Sequence, residues 1–150
     1  MKLEFREDIA APRARVRKAV TDIERFERTL GDWGVAVERE DEGPLRPGAR
    51  WRARPEWQGR DFDVTATLQT LGEDGWTTEC HGAGLVGLIV CDLVETAPDR
   101  TRLYLGVEVR ATSLGARVLL GSLKLGQGGI ERRVAERLAR FARTIEGGTT

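Results

Sequence analysis

The chain has 150 residues, with 24 basic and 24 acidic side chains, so its formal net charge is zero. This balance argues against nucleic acid as the main partner, because nucleic-acid-binding domains usually carry a clear basic excess. The length fits one domain over residues 1–150, and the absence of a signal peptide or of about 18 consecutive apolar residues leads us to expect a soluble, cytoplasmic protein with no integral membrane segment.

The first part of the chain predicts one strand followed by two short helices. Apolar residues alternate with charged ones, as in a strand with one buried face, at Leu3, Phe5 and Ile9. Pro12 suits the first turn of a helix, which Val16 and Val20 continue at helical spacing. Asp22 is the expected N-cap of a second short helix that reaches Leu30.

Between residues 33 and 109, apolar residues recur at every second position, as in strands, instead of at helical spacing. The predicted strands cover residues 35–37, 51–57, 62–68, 76–80, 88–94 and 103–109. Asp74-Gly75 predicts a tight hairpin, and the glycines between residues 82 and 87 predict another turn. We therefore expect about six antiparallel strands after the helices, forming a sheet with one buried face.

Residues 113–146 predict one long amphipathic helix. At 100° per residue, its apolar stripe consists of Ala116, Leu119, Leu120, Leu123, Ile130, Val134, Leu138, Phe141 and Ile145. Thr112 or Ser113 can cap its start, and Gly147 and Gly148 end it. Gln127 lies in the stripe among glycines, each of which costs about 1 kcal/mol relative to alanine in a helix. These glycines predict a kink; the alternative is a break between two helices.

A second apolar group on this helix faces away from the stripe and consists of Leu114, Val118 and Leu125. These side chains either cover other parts of the chain or contact a second subunit. A homodimer is therefore one of the expected assemblies.

The order of elements is one strand, two short helices, about six further antiparallel strands and one long C-terminal helix. It predicts an α+β fold in which the long helix covers the buried face of the sheet. The chain resembles the START-like (SRPBCC) superfamily, the helix-grip fold of polyketide cyclase/dehydrase, lipid-transport and birch-pollen-allergen proteins. The resemblance is carried by residues 9–12 with Val16, by residues 21–26 and 99–102, and by the C-terminal helix. It implies a helix-grip arrangement, in which a curved antiparallel sheet of about seven strands wraps around the long C-terminal helix and two short helices follow strand 1. It also implies a cavity between the sheet and the C-terminal helix that takes an apolar or amphipathic molecule.

The apolar strand faces and the helix stripe supply the residues that we expect to line such a cavity. These ligand-binding candidates are Trp51, Trp57, Phe62, Val64, Leu88, Val90, Leu103, Leu105, Val107, Leu123, Gln127, Ile130 and Val134. Most of them would also belong to an ordinary packed core, because a core and a ligand site both need apolar strand faces.

Few residues offer catalytic chemistry. The weak acid–base candidates are Asp92, Tyr104 and His81. Asp92 is in phase with the face of Leu88, and the alternation of its strand predicts that His81 points toward solvent. Cys80 and Cys91 are expected to be reduced and partly buried, unless the two strands bring them close enough for a redox bond. The spacing of ligand-type residues predicts no metal site, and we expect no cofactor.

Three functions remain open at this point. The leading hypothesis is the noncatalytic binding of a hydrophobic or lipid-like small molecule between the sheet and the C-terminal helix. The alternative is a polyketide cyclase/dehydrase-like enzyme with acid–base residues in the same cavity. The third is a protein-interaction module that uses the outward leucines and valine of the last helix.

Overall fold

The computed structural model describes residues 1–147. In chain order its elements are β1 (Lys2–Ile9), α1 (Arg13–Val20), α2 (Ile23–Asp32), β2 (Ala36–Arg39), β3 (Arg50–Arg54), β4 (Glu56–Trp57), β5 (Arg60–Asp61), β6 (Val64–Gly72), β7 (Gly75–Gly82), β8 (Leu85–Ala97), β9 (Arg100–Ala111), α3 (Leu114–Leu125) and α4 (Gln127–Glu146). This arrangement confirms the predicted α+β fold. Within residues 1–147, no helix is both long and apolar enough to span a membrane.

Seven strands form one antiparallel sheet in the order β1-β9-β8-β7-β6-β3-β2. The two remaining strands, β4 and β5, pair only with each other in a small hairpin that interrupts the passage from β3 to β6. The predicted turn at Asp74-Gly75 joins β6 to β7. A Cβ on Gly75 would lie 1.8 Å from the Cys91 carbonyl oxygen, and its φ is +131°, so this position requires glycine.

The two short helices begin where the sequence indicates. Pro12 is the N-cap residue of α1, and Asp22 is that of α2. The Asp22 carboxylate accepts a hydrogen bond from the Arg25 backbone N–H at 3.1 Å, which satisfies one of the free donors of the first turn.

The C-terminal helical segment is divided at Gly126, so the single long helix expected from the stripe is in fact α3 followed by α4. Ser113, one of the two predicted caps, accepts a hydrogen bond from Ala116 N–H, whereas Thr112 donates its hydroxyl to Gly84 O. Gly147 is the C-cap of α4, and the other predicted stop, Gly148, lies outside the described residues.

The buried side chains form two clusters on the face of the sheet that carries the helices. One cluster joins α1 and the second half of α4 to β1, β8 and β9 through Ile9, Val16, Cys91, Leu93, Leu103, Ala142 and Ile145. The other is centred on Ala49, Trp51 and Leu68 at the β2–β3–β6 side. Trp76 of β7 packs against both clusters, so it marks the boundary between them.

Candidate functional site

A cavity of about 220 Å³ lies between α2 and the inner face of the sheet. The helical side of its wall comes from the end of α1 and from α2, the sheet side from β2, β3, β6, β7 and β8. Its lining residues are Val20, Thr21, Asp22, Ile23, Phe26, Leu30, Val35, Val37, Leu45, Trp51, Ala53, Val64, Ala66, Leu68, Trp76, Thr78, Cys80 and Ile89. None of the described residues of α3 or α4 lines it.

Most polar groups in this wall already have partners within the protein. Trp76 Nε1 donates to Val20 O at 3.0 Å, and the Thr21 hydroxyl donates to Arg17 O at 2.7 Å. The Asp22 carboxylate accepts the Arg25 N–H as the N-cap of α2. A molecule inside the cavity therefore meets an almost entirely apolar surface.

Three wall residues retain polar atoms outside these hydrogen bonds. Burial raises the pKa of the Cys80 thiol to about 11, so this thiol is neutral at ordinary pH. Thr78 lies two residues before Cys80 on β7 and turns its side chain to the same face. Trp51 Nε1 is buried without a partner among the described residues, while the Arg39 guanidinium lies 5.8 Å from the Trp51 ring centroid.

Helix α2 forms the outer wall of the cavity. Phe26 lines the cavity and is nevertheless 43% exposed, which puts it at the mouth. Two cation–π contacts join α2 and its C-cap to α4: the Arg25 guanidinium is 5.0 Å from the Phe141 ring centroid, and that of Arg137 is 5.0 Å from the Trp33 centroid. No residue of α2 is fully buried, although Ile23 in its first turn packs against the cluster centred on Ala49, Trp51 and Leu68.

Of the thirteen side chains that the sequence suggested for a ligand cavity, Trp51 and Val64 line the one under α2. Leu103 is buried in the α1–α4 cluster, and Leu105 packs against that cluster. Val107 follows them on the same face of β9, opposite Ile89 and Leu3. These three strand residues lie where α4, rather than α2, covers the sheet.

The candidates on β8 and the acid–base candidates lie mainly on the outer face of the sheet. Leu88 is 40% exposed and Tyr104 is 39% exposed. Asp92 is exposed and pairs in register with Tyr104, and Val90 shares the outward phase of Leu88. The reason is that β8 turns Ile89, Cys91 and Leu93 inward, which sends every even-numbered residue of that run outward.

His81 also lies away from the cavity. Its imidazole is exposed, and its Nε2 is 2.5 Å from a carboxylate oxygen of Glu79, two residues away on the outer face of β7. Within residues 1–147 no cluster of three His, Cys, Asp or Glu side chains has a geometry that fits a metal ion.

The remaining candidates cluster around the α3–α4 junction. Trp57 Nε1 donates to Ser122 Oγ at 3.1 Å, so the β4–β5 hairpin rests on α3. Phe62 follows that hairpin and donates its N–H to Pro55 O at 2.9 Å. Gln127 Nε2 donates to Glu131 Oε1 at 2.8 Å and to Lys2 O at 3.5 Å. Leu123, Ile130 and Val134 are half-buried on the same helices, outside the cavity lining.

The two cysteines are both free. Cys80 pairs in register with Gly87 of β8, whereas Cys91 pairs with Trp76, so they are not opposite each other across the β7–β8 pair. Burial also raises the pKa of the Cys91 thiol, to about 12.

No protein-family model and no curated protein matches this sequence. Solved structures do match over nearly the whole chain. The ZhuI aromatase/cyclase from Streptomyces sp. R1128 is 16% identical, covers 97% of this chain and 93% of its own, and superposes with a TM-score of 0.74. A START superfamily protein from Mycobacterium smegmatis is 16% identical over 96% of this chain and 98% of its own, with a TM-score of 0.67. The chain has the START-like (SRPBCC) helix-grip fold.

A third helix-grip structure is norcoclaurine synthase from Thalictrum flavum, solved in complex with dopamine and hydroxybenzaldehyde. It is 11% identical to this chain, covers 100% of it and 88% of its own length, and gives a TM-score of 0.68. At these identities the likeness establishes the fold alone, and function has to be argued from the cavity.

Sequence reasoning did not assign the α2 side of this helix-grip cavity. The lining residues it missed include Ile23, Phe26 and Leu30 on α2, and Thr78, Cys80 and Ile89 on the sheet. A signal was present, because the three α2 residues recur at helical spacing and form an apolar stripe of their own. A ten-residue helix with such a stripe requires an apolar surface beneath it.

Proposed function

We propose that this protein binds a hydrophobic small molecule in the cavity between α2 and the sheet, without transforming it. The observation that carries the proposal is a void of about 220 Å³ whose wall is apolar and whose indole, hydroxyl and carboxylate groups largely bond within the protein. An apolar void offers water few hydrogen bonds, whereas an apolar guest regains the dispersion contacts that the wall lacks.

The affinity in this proposal comes from area burial, at about 25 cal/mol per Å² of apolar surface removed from water. Besides the buried Trp51 N–H, Thr78 and Cys80 supply the few polar side-chain atoms of the wall that lack a hydrogen-bond partner among the described residues. The preferred ligand is therefore a largely hydrocarbon or aromatic molecule with few polar groups. A charged ligand is disfavoured, because burying an ionised group against an apolar wall costs free energy unless the group is paired, and Asp22, the one carboxylate of the wall, is exposed to solvent.

The rival function is that of a polyketide cyclase-type enzyme. It is supported by the fold that this chain shares with an aromatase/cyclase. Its weakness lies in the acid–base groups. Asp92, Tyr104 and His81 are directed to the outer face of the sheet, and Asp22 is engaged with the Arg25 N–H. Positioned proton transfer needs a group within hydrogen-bond reach of the reacting atom, which favours binding over catalysis.

The test begins with native mass spectrometry of freshly purified protein and denaturing extraction of any retained molecule. Fluorescence titration with the apolar probe N-phenyl-1-naphthylamine then measures the cavity directly. Thr78→Phe fills the void from β7, and Thr67→Phe is the matched control, since Thr67 lies on the outer face of β6 between inward Ala66 and Leu68. We expect Thr78→Phe to weaken probe binding at least about tenfold, and Thr67→Phe to leave it unchanged.

Equal binding by wild type and Thr78→Phe would refute the proposal, because the probe would then lie elsewhere. An extracted molecule that returns chemically altered after incubation with fresh protein would instead establish the enzymatic rival. Urea unfolding of both variants shows whether each is folded under the conditions of the titration.

A further inference from the structure

Helix α3 exposes a row of large apolar side chains that nothing in residues 1–147 covers. Leu114 is 79% exposed, Val118 77% and Leu125 93%. Steps of four and seven residues put them on one helix face, together with Gly121. The opposite face holds Ala116 and Leu120, both buried against the fold. Since α3 is already anchored by its inner face, the outer row is not needed for packing.

Basic side chains flank this outer row. Arg117 and Lys124 are exposed on one side of it, and α3 contains no acidic residue. Neither forms an ion pair with any other described residue. An apolar row bordered by free cations is the pattern of a helix that lies in the interface of an anionic bilayer.

The basic character continues along α4. Together α3 and α4 contain seven basic residues, Arg117, Lys124, Arg132, Arg133, Arg137, Arg140 and Arg143. They contain three acidic residues, Glu131, Glu136 and Glu146. The whole chain is neutral, so the C-terminal helices carry an excess of positive charge that the rest of the chain balances. This segregation favours the approach of the C-terminal helices to a negatively charged surface.

We propose that α3 docks this protein on an anionic membrane surface, with Leu114, Val118 and Leu125 entering the headgroup region and Arg117 and Lys124 facing lipid phosphates or carboxylates. A second copy of the chain is a poorer occupant. Two α3 helices packed antiparallel through this row bring Arg117 of one copy toward Lys124 of the other, with no carboxylate on either helix to neutralise them. Lipid headgroups supply that negative charge.

The experiment is cosedimentation of the full chain with phosphatidylcholine vesicles that contain about 30 mol% phosphatidylserine, compared with pure phosphatidylcholine vesicles. We expect binding to the anionic vesicles at least about tenfold tighter than to the neutral ones, and weaker in high salt. Val118→Asp and Leu125→Gln should each lower anionic-vesicle binding. Val94→Asp is the matched control, because Val94 is 47% exposed on the outer face of β8, away from α3.

Three results would overturn this inference. The first is no preference of the wild type for anionic vesicles, and the second is an equal loss of binding in Val94→Asp. The third is a concentration-dependent dimer in lipid-free sedimentation that Val118→Asp dissociates, which would assign the row to a second copy. A monomer that binds anionic vesicles through Val118 and Leu125 supports it, and circular dichroism of each variant confirms that the comparison is between folded proteins.

Discussion

Replacing Gly126 with alanine tests why the C-terminal helical segment is divided where it is. The backbone at Gly126 has φ −93° and ψ 7°, which an alanine can adopt without strain. An added Cβ would nevertheless lie 2.6 Å from Cη2 and 3.1 Å from Cζ2 of the Trp57 ring. Trp57 cannot turn away freely, because its Nε1 donates to Ser122 Oγ at 3.1 Å. The indole thus occupies the space that any side chain at position 126 would need.

Two opposing free-energy terms determine how much Gly126→Ala should change the stability of the protein. Moving the ring from 2.6 Å to an ordinary carbon–carbon contact costs about 1–3 kcal/mol as overpacking. Alanine in place of glycine recovers at most about 1 kcal/mol of helix propensity. We therefore expect Gly126→Ala to destabilise the protein by about 1 kcal/mol. In a Trp57→Ala background the clash is absent, and the same change should stabilise by about 0.5 kcal/mol.

The wild type, the two single variants and the double variant form a double-mutant cycle. Urea unfolding of these four proteins measures the coupling free energy between positions 126 and 57, provided that the m-values are the same. Gly121→Ala is the matched control, because a Cβ at Gly121 in the same helix meets nothing within 4 Å. It should stabilise by up to about 1 kcal/mol. The reasoning is refuted if Gly126→Ala has the same effect with and without Trp57, since the ring would then not be what excludes a side chain there.

Three further outcomes follow from the site and its supports. Alkylation of Cys80 by iodoacetamide, measured by mass spectrometry, should be slow at about pH 8, because a thiol of pKa about 11 is only about one-thousandth thiolate there. The rate should rise up to about pH 11 and fall again when N-phenyl-1-naphthylamine is bound in the cavity. Fast labelling at pH 8 would contradict the burial of Cys80 in the cavity wall. Asp22→Ala should cost about 1 kcal/mol in urea unfolding and weaken probe binding, whereas Asp22→Ser, which keeps a capping oxygen, should restore most of both. The hydrogen bond from Arg102, at 2.7 Å, holds the pKa of the Asp8 carboxyl below its ordinary value. A depressed folded-state pKa adds stability that is present above the unfolded pKa and lost as pH falls through the folded one, so Asp8→Asn should lower the thermal midpoint at neutral pH and have no effect in strong acid. A constant difference at all pH values would exclude this ion pair as the source of the effect.

Local signals in the sequence were sufficient to predict most of the helices and strands. Asp22 before an apolar helical stripe predicted a cap, and the carboxylate does accept the Arg25 N–H. Strict alternation in β3, β6 and β9 predicted the buried faces, as Trp51, Leu68 and Leu103 show. These features are encoded within a few residues of chain, so they can be read without knowledge of the tertiary structure.

The site was harder to predict because it depends on which helix covers which strand. In β8, residues 88–94 are almost all apolar, so alternation does not reveal the inward phase; the fold turns Ile89 in and Leu88 out. The local glycines predict the kink near Gly126, but the exclusion of a side chain at position 126 depends on Trp57, which lies far away in sequence. Neither the inward phase of β8 nor this contact is contained in a local pattern, and the phase of β8 decides which of its side chains line the cavity.

The cavity itself follows from a mismatch between the sheet and its helices. Seven strands at about 4.8 Å spacing span about 29 Å, whereas one helix with its side chains is about 11 Å wide. Helix α4 covers the β1–β9–β8 side, where its second half joins the buried cluster. The other side is left to α2, ten residues long, with three apolar side chains directed at the sheet.

A packed core could still have closed that space with larger side chains on the strands. The wall instead has small side chains on three adjacent strands of the sheet: Ala53 on β3, Ala66 on β6 and Thr78 on β7. Leucine or isoleucine at these positions would project into the void and contact α2. The space therefore persists because of the residues chosen at the strand positions that face α2. Since an unfilled apolar void weakens the fold by the contacts its lining lacks, a guest molecule that fills it should stabilise the protein in proportion to the logarithm of its concentration.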